Sequence, residues 1–233
     1  MNRTSWIIFI VFSVGLLALL VIFSGNSRSD VKKVDVNTIQ SGNKQNGNIA
    51  DHIFGKAGSK VTLIEYGDFQ CPPCANTYPI AKAVSEQYKE QLQFVFRNFP
   101  ISTSHPNARA AAGTAEAAGL QGKYWEMHDK IYASQTEWSE LTGTDRTKFF
   151  EKFASDLGLD INKFNKDIAS SSVSDKINLD YAIGKKAGVE ATPTFYLNGV
   201  KLDPSVYGDE AKLKDAVNVE LKKAKIEIPK STD

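Results

Sequence analysis

The sequence predicts an α/β fold in which a long helical insertion interrupts the sheet and one apolar N-terminal span precedes the folded domain. Residues 60–69 (KVTLIEYGDF) are apolar and β-rich with few breakers, the pattern of a buried strand. Residues 75–91 (ANTYPIAKAVSEQYKEQ) are helix-like, with Ala81, Val84 and Tyr88 spaced for one face. About ninety residues of mainly helical pattern then separate a second strand, 93–99, from a third at 194–200.

At the N-terminus, residues 4–27 carry no charge, and 6–23 (WIIFIVFSVGLLALLVIF) are almost wholly apolar. That stretch is long enough to cross a bilayer with Trp6 at one interface. A cleavable signal has a shorter apolar region and an A-x-A-like site; Gly25-Asn26-Ser27 matches it poorly, and no cysteine follows to carry a lipid. Residues 1–27 are therefore expected to be an uncleaved transmembrane signal anchor. Residues 28–50 are rich in Asn, Ser, Gly and Gln and read as a flexible linker. Residues 51–233 are ample for one domain with its own core, without internal repeats. Arg3 and the α-amine precede the span, whereas Arg28, Lys32 and Lys33 follow it, so the positive-inside rule favours a cytoplasmic domain. The net charge of +1, with no basic stripe, excludes an obvious nucleic-acid binder and gives no reason to expect an acidic partner.

Within the domain, QFVFRNF (93–99) is the second strand. Helical patterns follow at 108–120, which is Ala-rich and suited to close packing, and at 124–132, 147–157 and 174–186. Strand 194–200 contains Asn198-Gly199, a hairpin signal. Beyond a segment at 206–207, a charged helix at 209–225 ends the fold.

The chain has only two cysteines, in Cys71-Pro72-Pro73-Cys74. A structural disulfide closing so small a loop would gain little unfolded-state entropy. A C-x-x-C pair instead swaps between dithiol and disulfide, as a redox catalyst requires. Cys71 falls where a strand turns into a helix, and unpaired N–H groups and the helix dipole favour a thiolate there. Cys74, one turn in, is the more shielded resolving thiol. A zinc site would need two more ligands, and no second C-x-x-C or H-x-x-H supplies them. His52, His105 and His128 lie far apart and read as surface or capping residues. No metal or other cofactor is expected.

Over DHIFG (51–55), VTLIEYGDFQCPPC, NARAAAGTAEAAGLQGKYWEMHDKIYASQ from Asn107 and GVEATPTFYLNG from Gly188, the chain resembles the DsbA-like branch of the thioredoxin superfamily. The resemblance runs from about residue 51 to the end of the last helix. It implies a thioredoxin fold with a helical insertion domain at about 101–187 that caps the active site. In such folds the proline of Thr192-Pro193 has a cis peptide bond and faces the redox pair. The exposed backbone at Thr192 could then pair with an extended substrate segment; an ordinary turn before the strand is the alternative. Glu65 lies where the family carries a buried acid. Desolvation would raise its pKa and let it exchange a proton with Cys74; alternatively its side chain reaches the sheet edge and water. Phe69 is a candidate for a substrate groove, whereas Trp125, Trp138, Phe149 and Phe150 read as packing.

The family usually carries His where this chain has Pro73, next to the shared Pro72. Proline offers no N–H and no imidazolium charge to the Cys71 thiolate, so an intermediate redox potential is expected. The resemblance implies a monomeric enzyme that donates its Cys71–Cys74 disulfide to reduced exported proteins. Its reoxidant would be a quinone-linked membrane protein of the DsbB or vitamin K epoxide reductase type. The catalytic domain would then be extracytoplasmic on a single-pass anchor in the cell membrane, against the local charge balance. A membrane-tethered reductase or isomerase is the alternative that Pro73 favours, although residues 28–50 leave no room for the dimerisation module that isomerases commonly need. A non-redox chaperone or metal carrier fits less well with Glu65 and the lack of a third metal ligand.

Overall fold

The computed structural model describes Phe12, Asp35 and residues 37–229. Apart from Phe12, the expected anchor lies outside the described residues, as does most of the N-terminal part of the expected linker. Among the described residues no helix is long and apolar enough to cross a membrane.

A five-stranded sheet is built from β1 (Ile53–Gly55), β2 (Thr62–Gly67), β3 (Gln93–Asn98), β4 (Thr194–Leu197) and β5 (Val200–Lys201), in the order β1-β3-β2-β4-β5. β2 is central, parallel to β3 and antiparallel to β4. Helix α1 (Pro72–Gln87) joins β2 to β3 as a crossover. The insertion between β3 and β4 holds α2 (Ala108–Gly119), α3 (Tyr124–Ala133), α4 (Gln135–Trp138), α5 (Gly143–Asp156), α6 (Ile161–Ile168) and α7 (Ser171–Ala187). Helices α8 (Pro204–Tyr207) and α9 (Glu210–Ala224) follow the β4–β5 hairpin. That hairpin turns at Asn198 and Gly199, whose φ angles of 46° and 79° are those the Asn-Gly signal anticipates.

Alternation along β2 divides the core. Leu63 joins Val61, Phe94 and Phe195 beneath Ala81 and Val84 of α1 and Leu213 and Val217 of α9. Ile64 and Tyr66 point the other way, packing with Val95, Leu179 and Ile183. Because both faces are covered, the strand reads as a nearly continuous apolar run. The insertion has its own core around Trp138, Phe150 and Phe164, which also takes in Phe69 and both cysteines.

Two features depart from the sequence expectations. Residues 37–50, assigned to the flexible linker, include an ordered strap. A short 3-10 turn at Lys44–Asn46 is closed by a reciprocal capping box between Asn43 and Asn46, and Asn46 and Ile49 are buried. Gly47 has φ 62°, and a Cβ there would meet the Ser172 backbone at 2.2 Å, so only glycine lets the strap approach α7 so closely. The strap is polar because hydrogen bonds hold much of it: the Gln40 amide donates to Asp51 at 2.9 Å and Arg97 donates to the Thr38 carbonyl at 2.6 Å. The second departure is a buried ion network beneath the strap. Asp51 pairs with Arg97 at 2.8 Å and with Lys176 at 3.0 Å, and Lys176 also pairs with Asp180 at 2.6 Å.

Candidate active site

The chain leaves β2 at Gly67 and enters α1 at Pro72, and Cys71 is the N-cap of that helix. Pro72 and Pro73 fill its first positions, where an N–H would have no helical partner in any case. The first amide this helix end offers to a sulfur is therefore that of Cys74. Both cysteines are free thiols; Cys71 is 5% exposed and Cys74 0%. Hydrogen bonding from the Cys74 side chain pulls the Cys71 thiol down to about 6 against the cost of its burial, with further help from the Thr192 side chain and the Cys74 amide. Burial, the hydrogen bond to Cys71 and nearby Glu65 push Cys74 well above the ordinary thiol range. One sulfur is thus largely a thiolate at neutral pH, and the other stays protonated behind it.

The Thr192-Pro193 peptide is cis, and Cys71 Sγ lies 3.4 Å from the Thr192 carbonyl oxygen, to which it donates only while protonated. The Tyr207 hydroxyl donates to the Pro193 carbonyl at 3.0 Å and secures the loop from α8. Thr192 is itself buried, contrary to the expected exposed backbone; the exposed residues of this loop are Glu190 and Ala191. Strand pairing at Thr192 would first have to displace the Cys71 contact.

Glu65 lies in the central strand, opposite Phe96 and Phe195 in the ladder, so it cannot reach a sheet edge. It is 2% exposed, and its Oε1 has no hydrogen-bond partner. Burial, and then the Cys71 thiolate, push its pKa up to about 8. A Cβ at Gly67 would lie 2.2 Å from the Phe96 ring and 3.1 Å from Glu65 Oε1, so glycine leaves room for both. The strand thereby holds a protonated acid behind the cysteines at neutral pH.

The insertion braces the strand–helix junction. Gln135 Nε2 donates to the carbonyls of Phe69 at 2.8 Å and Cys71 at 3.0 Å. The Asp68 carboxylate accepts from the Gln70 amide at 2.8 Å and the Ile101 amide at 2.7 Å, and meets His105 Nδ1 at 2.8 Å. Gln70 donates to the Ser139 carbonyl at 2.8 Å and accepts from the Asn107 amide at 2.6 Å. Sequence reasoning missed these braces. Asp68 and Gln70 sit within the motif block and could have been flagged there, but nothing local marks Gln135.

Phe69 is not a groove residue. It is 1% exposed, with its ring 4.9 Å from those of Phe96 and Tyr132, because the junction turns it inward beneath α3. Trp138 and Phe150 are core, whereas Trp125 is only half-buried. The three histidines occupy separate places: His52 on Glu116, His105 on Asp68, and His128 among the rings beside Phe69. Among the described residues no group of three or more His, Cys, Asp or Glu is placed to hold a metal ion.

A family model described as Thioredoxin matches residues 47–217. Among curated proteins, the chain is 34% identical over 155 residues to the Na(+)/H(+) antiporter NhaA 1 of Mycolicibacterium vanbaalenii, covering 65% of this chain and 24% of that one. It is 36% identical over 149 residues to NhaA 3 of Salinispora tropica, covering 64% and 22%. The chain thus spans about a quarter of the length of these curated relatives. Among solved structures it is similar to DsbA2 of Pseudomonas aeruginosa, with 26% identity, 75% and 96% coverage and a TM-score of 0.58. BdbD of Bacillus subtilis in its oxidised form (20% identity, 79% and 98% coverage, TM-score 0.64) and alpha-DsbA1 of Wolbachia pipientis (22%, 75% and 92%, 0.65) share the fold.

Proposed function

The chain belongs to the thioredoxin family, and from that premise we propose that this thiol–disulfide oxidoreductase introduces disulfides into exported proteins. The observation that carries the reading is the division of labour at the helix cap. Cys71 is an acidic thiol, Cys74 a shielded basic one, and Glu65 an unpaired acid that is protonated at neutral pH. A substrate thiolate attacks Cys71 of the oxidised pair; the Cys71–Cys74 bond breaks and its electron pair goes to Cys74, which takes a proton from Glu65. A second substrate thiolate then attacks the substrate sulfur of the mixed disulfide. Cys71 departs readily as a thiolate because its pKa is low. The substrate leaves oxidised and the enzyme reduced.

Reoxidation falls to a quinone-linked membrane protein of the DsbB or vitamin K epoxide reductase type, with which an anchored, extracytoplasmic domain would share a membrane. The support for that placement is the apolar stretch 6–23 and the persistence of disulfides outside the cytoplasm. Antiport, named for relatives about four times as long as the matched stretch, is not carried over. Pro73 favours a second reading, a reductase or isomerase of the same fold. The redox equilibrium of the purified chain against glutathione separates the two. A potential at or above the about −180 to −210 mV of an oxidising compartment supports the disulfide donor, and one near the about −270 mV of thioredoxin supports the reductase.

A further inference from the structure

On the side of the sheet that α7 covers, a surface groove has a lining that the chemistry of two thiols does not explain. Phe99, Ile101, Arg109, Tyr181, Lys185 and Glu190 line it around about 290 Å³, room for one or two side chains rather than a folded partner. Two of its walls belong to segments that meet the redox junction. The Ile101 amide donates to Asp68 Oδ2 at 2.7 Å, and the Asp68 carbonyl accepts from the Cys71 amide at 3.0 Å. Glu190 stands two residues before Thr192, whose carbonyl oxygen lies 3.4 Å from Cys71 Sγ. Among the described residues from 37 onward, Tyr181 is the one exposed aromatic side chain, at 39%. Its ring stacks on that of buried Phe99, with centroids 4.6 Å apart and planes 24° apart. A Cβ at Gly184 would lie 2.6 Å from the Phe99 ring, so glycine lets α7 close on Phe99 and hold Tyr181 flat against it. Arg109 and Lys185 are both exposed, and Arg109 donates to neutral Asn178 at 2.8 Å rather than to an acid. Glu190 is the one acid of the lining.

We propose that this groove is a substrate subsite that takes an aromatic side chain and a neighbouring acidic one from the extended segment flanking the cysteine of a reduced protein. The inference rests on the proposed exchange reaction and names the substrates it would favour. An extended chain advances about 3.3 Å per residue, so residues a few positions from a cysteine docked at Cys71 come over Ala191 and Glu190 into the groove. Tyr181, already backed by Phe99, offers a rigid ring for a second ring to stack on. Arg109 and Lys185 then meet a carboxylate beside that ring, Arg109 through the guanidinium nitrogens that Asn178 leaves free. A basic segment would instead bring like charges to both cations. Tyr181 is thus the specificity determinant for the aromatic residue, and Arg109 and Lys185 are those for the acidic one.

Acid-quenched mass spectrometry of the oxidised full chain follows adduct formation with glutathione and with two short peptides, each holding one cysteine. One peptide carries phenylalanine–aspartate pairs on both sides of its cysteine, the other serine–lysine pairs. Per thiolate, and relative to glutathione on the same protein, the first is expected to react at least about fivefold faster than the second. Tyr181→Ser should erase most of that advantage and Lys185→Glu should reduce it. Val219→Ser, exposed on α9 across the sheet, should retain it. No advantage in wild type, or one that survives in folded Tyr181→Ser, would overturn the subsite. If no probe reacts, the proposed function fails, and fluorescence anisotropy of the first peptide with serine in place of its cysteine decides the groove. Binding that weakens in Tyr181→Ser would keep the subsite, and equal binding or none would overturn it.

Discussion

Two buried carboxylates less than twenty residues apart in sequence meet opposite fates. Asp51 and Glu65 are both taken out of water. Burial alone would raise Asp51, yet Lys176 and Arg97 beside it hold its carboxyl down to about 2. Glu65 has no such cation, and burial lifts it to about 8. Asp51 is a permanent charge that ties the strap, β3 and α7 together. Glu65 is an acid whose proton can leave and return within the working range of pH. The partners, rather than the depth of burial, decide which buried charge is structural and which is available for chemistry. Asp180 lies between the extremes, raised by burial to about 6 despite sharing Lys176.

If the chemistry belongs to the partnerless cluster, Cys71→Ser should abolish disulfide transfer to a reduced peptide, with the chain still folded. Cys74→Ser should accumulate mixed disulfides, visible as adducts by mass spectrometry without reductant. Full activity in both would rule out a redox role for the Cys71–Cys74 pair. The ion network should answer in the opposite way. Asp51→Asn strips Arg97 and Lys176 of their shared anion, and loss of one partner in a buried pair costs about 3–5 kcal/mol. Urea unfolding should report that loss, while alkylation of Cys71 keeps its pH midpoint; a shifted midpoint would mean that the clusters are coupled.

Glu65→Gln should change folding stability in the opposite direction, and only across a window of pH. The folded pKa of about 8 stands above the ordinary 4.5, so the native state holds a proton that the unfolded state releases. The stabilisation this gives is full below pH 4.5 and is lost as pH rises through about 8, by about 1.4 kcal/mol per unit of separation. Wild type should therefore lose stability across that window and Glu65→Gln should not. The variant should also slow the Cys74 step about 10²-fold, the usual contribution of a positioned acid–base group. Parallel stability curves for the two proteins would show that Glu65 finds a partner after all.

The difference between the clusters also marks what the sequence made legible. C-x-x-C between an apolar strand and a helix, an acid inside that strand, and Asn198-Gly199 before β5 are local patterns, and each lands where its pattern points. The strap was opaque because Asn46 and Ile49 are buried by a surface that only the folded domain provides. β1, with three residues, is too short to announce itself. Phe69 was misread because its direction is set by the turn over Asp68 and by Gln135, some 66 residues away. His128, read as a surface or capping residue, is instead buried among the rings of Phe69 and Tyr78, an environment that exists only once α3 packs over α1.

A cation beside Cys71 would separate the effect of charge on the thiolate from its effect on redox poise. Pro73 gives the helix end neither an N–H nor a charge, and Cys71 reaches about 6 without them. Pro73→His restores the amide and places an imidazole beside the sulfur, and both favour the thiolate. Cys71 should fall further by about one unit, and the potential should become more oxidising by about 30 mV, because a more stable thiolate favours the reduced enzyme. Alkylation against pH and the glutathione equilibrium measure the two shifts independently. Agreement between them would mean that charge at the cap sets the potential. A lower pKa with an unmoved potential would mean instead that the disulfide form is stabilised equally, and that cation pairing governs charge here without governing redox poise.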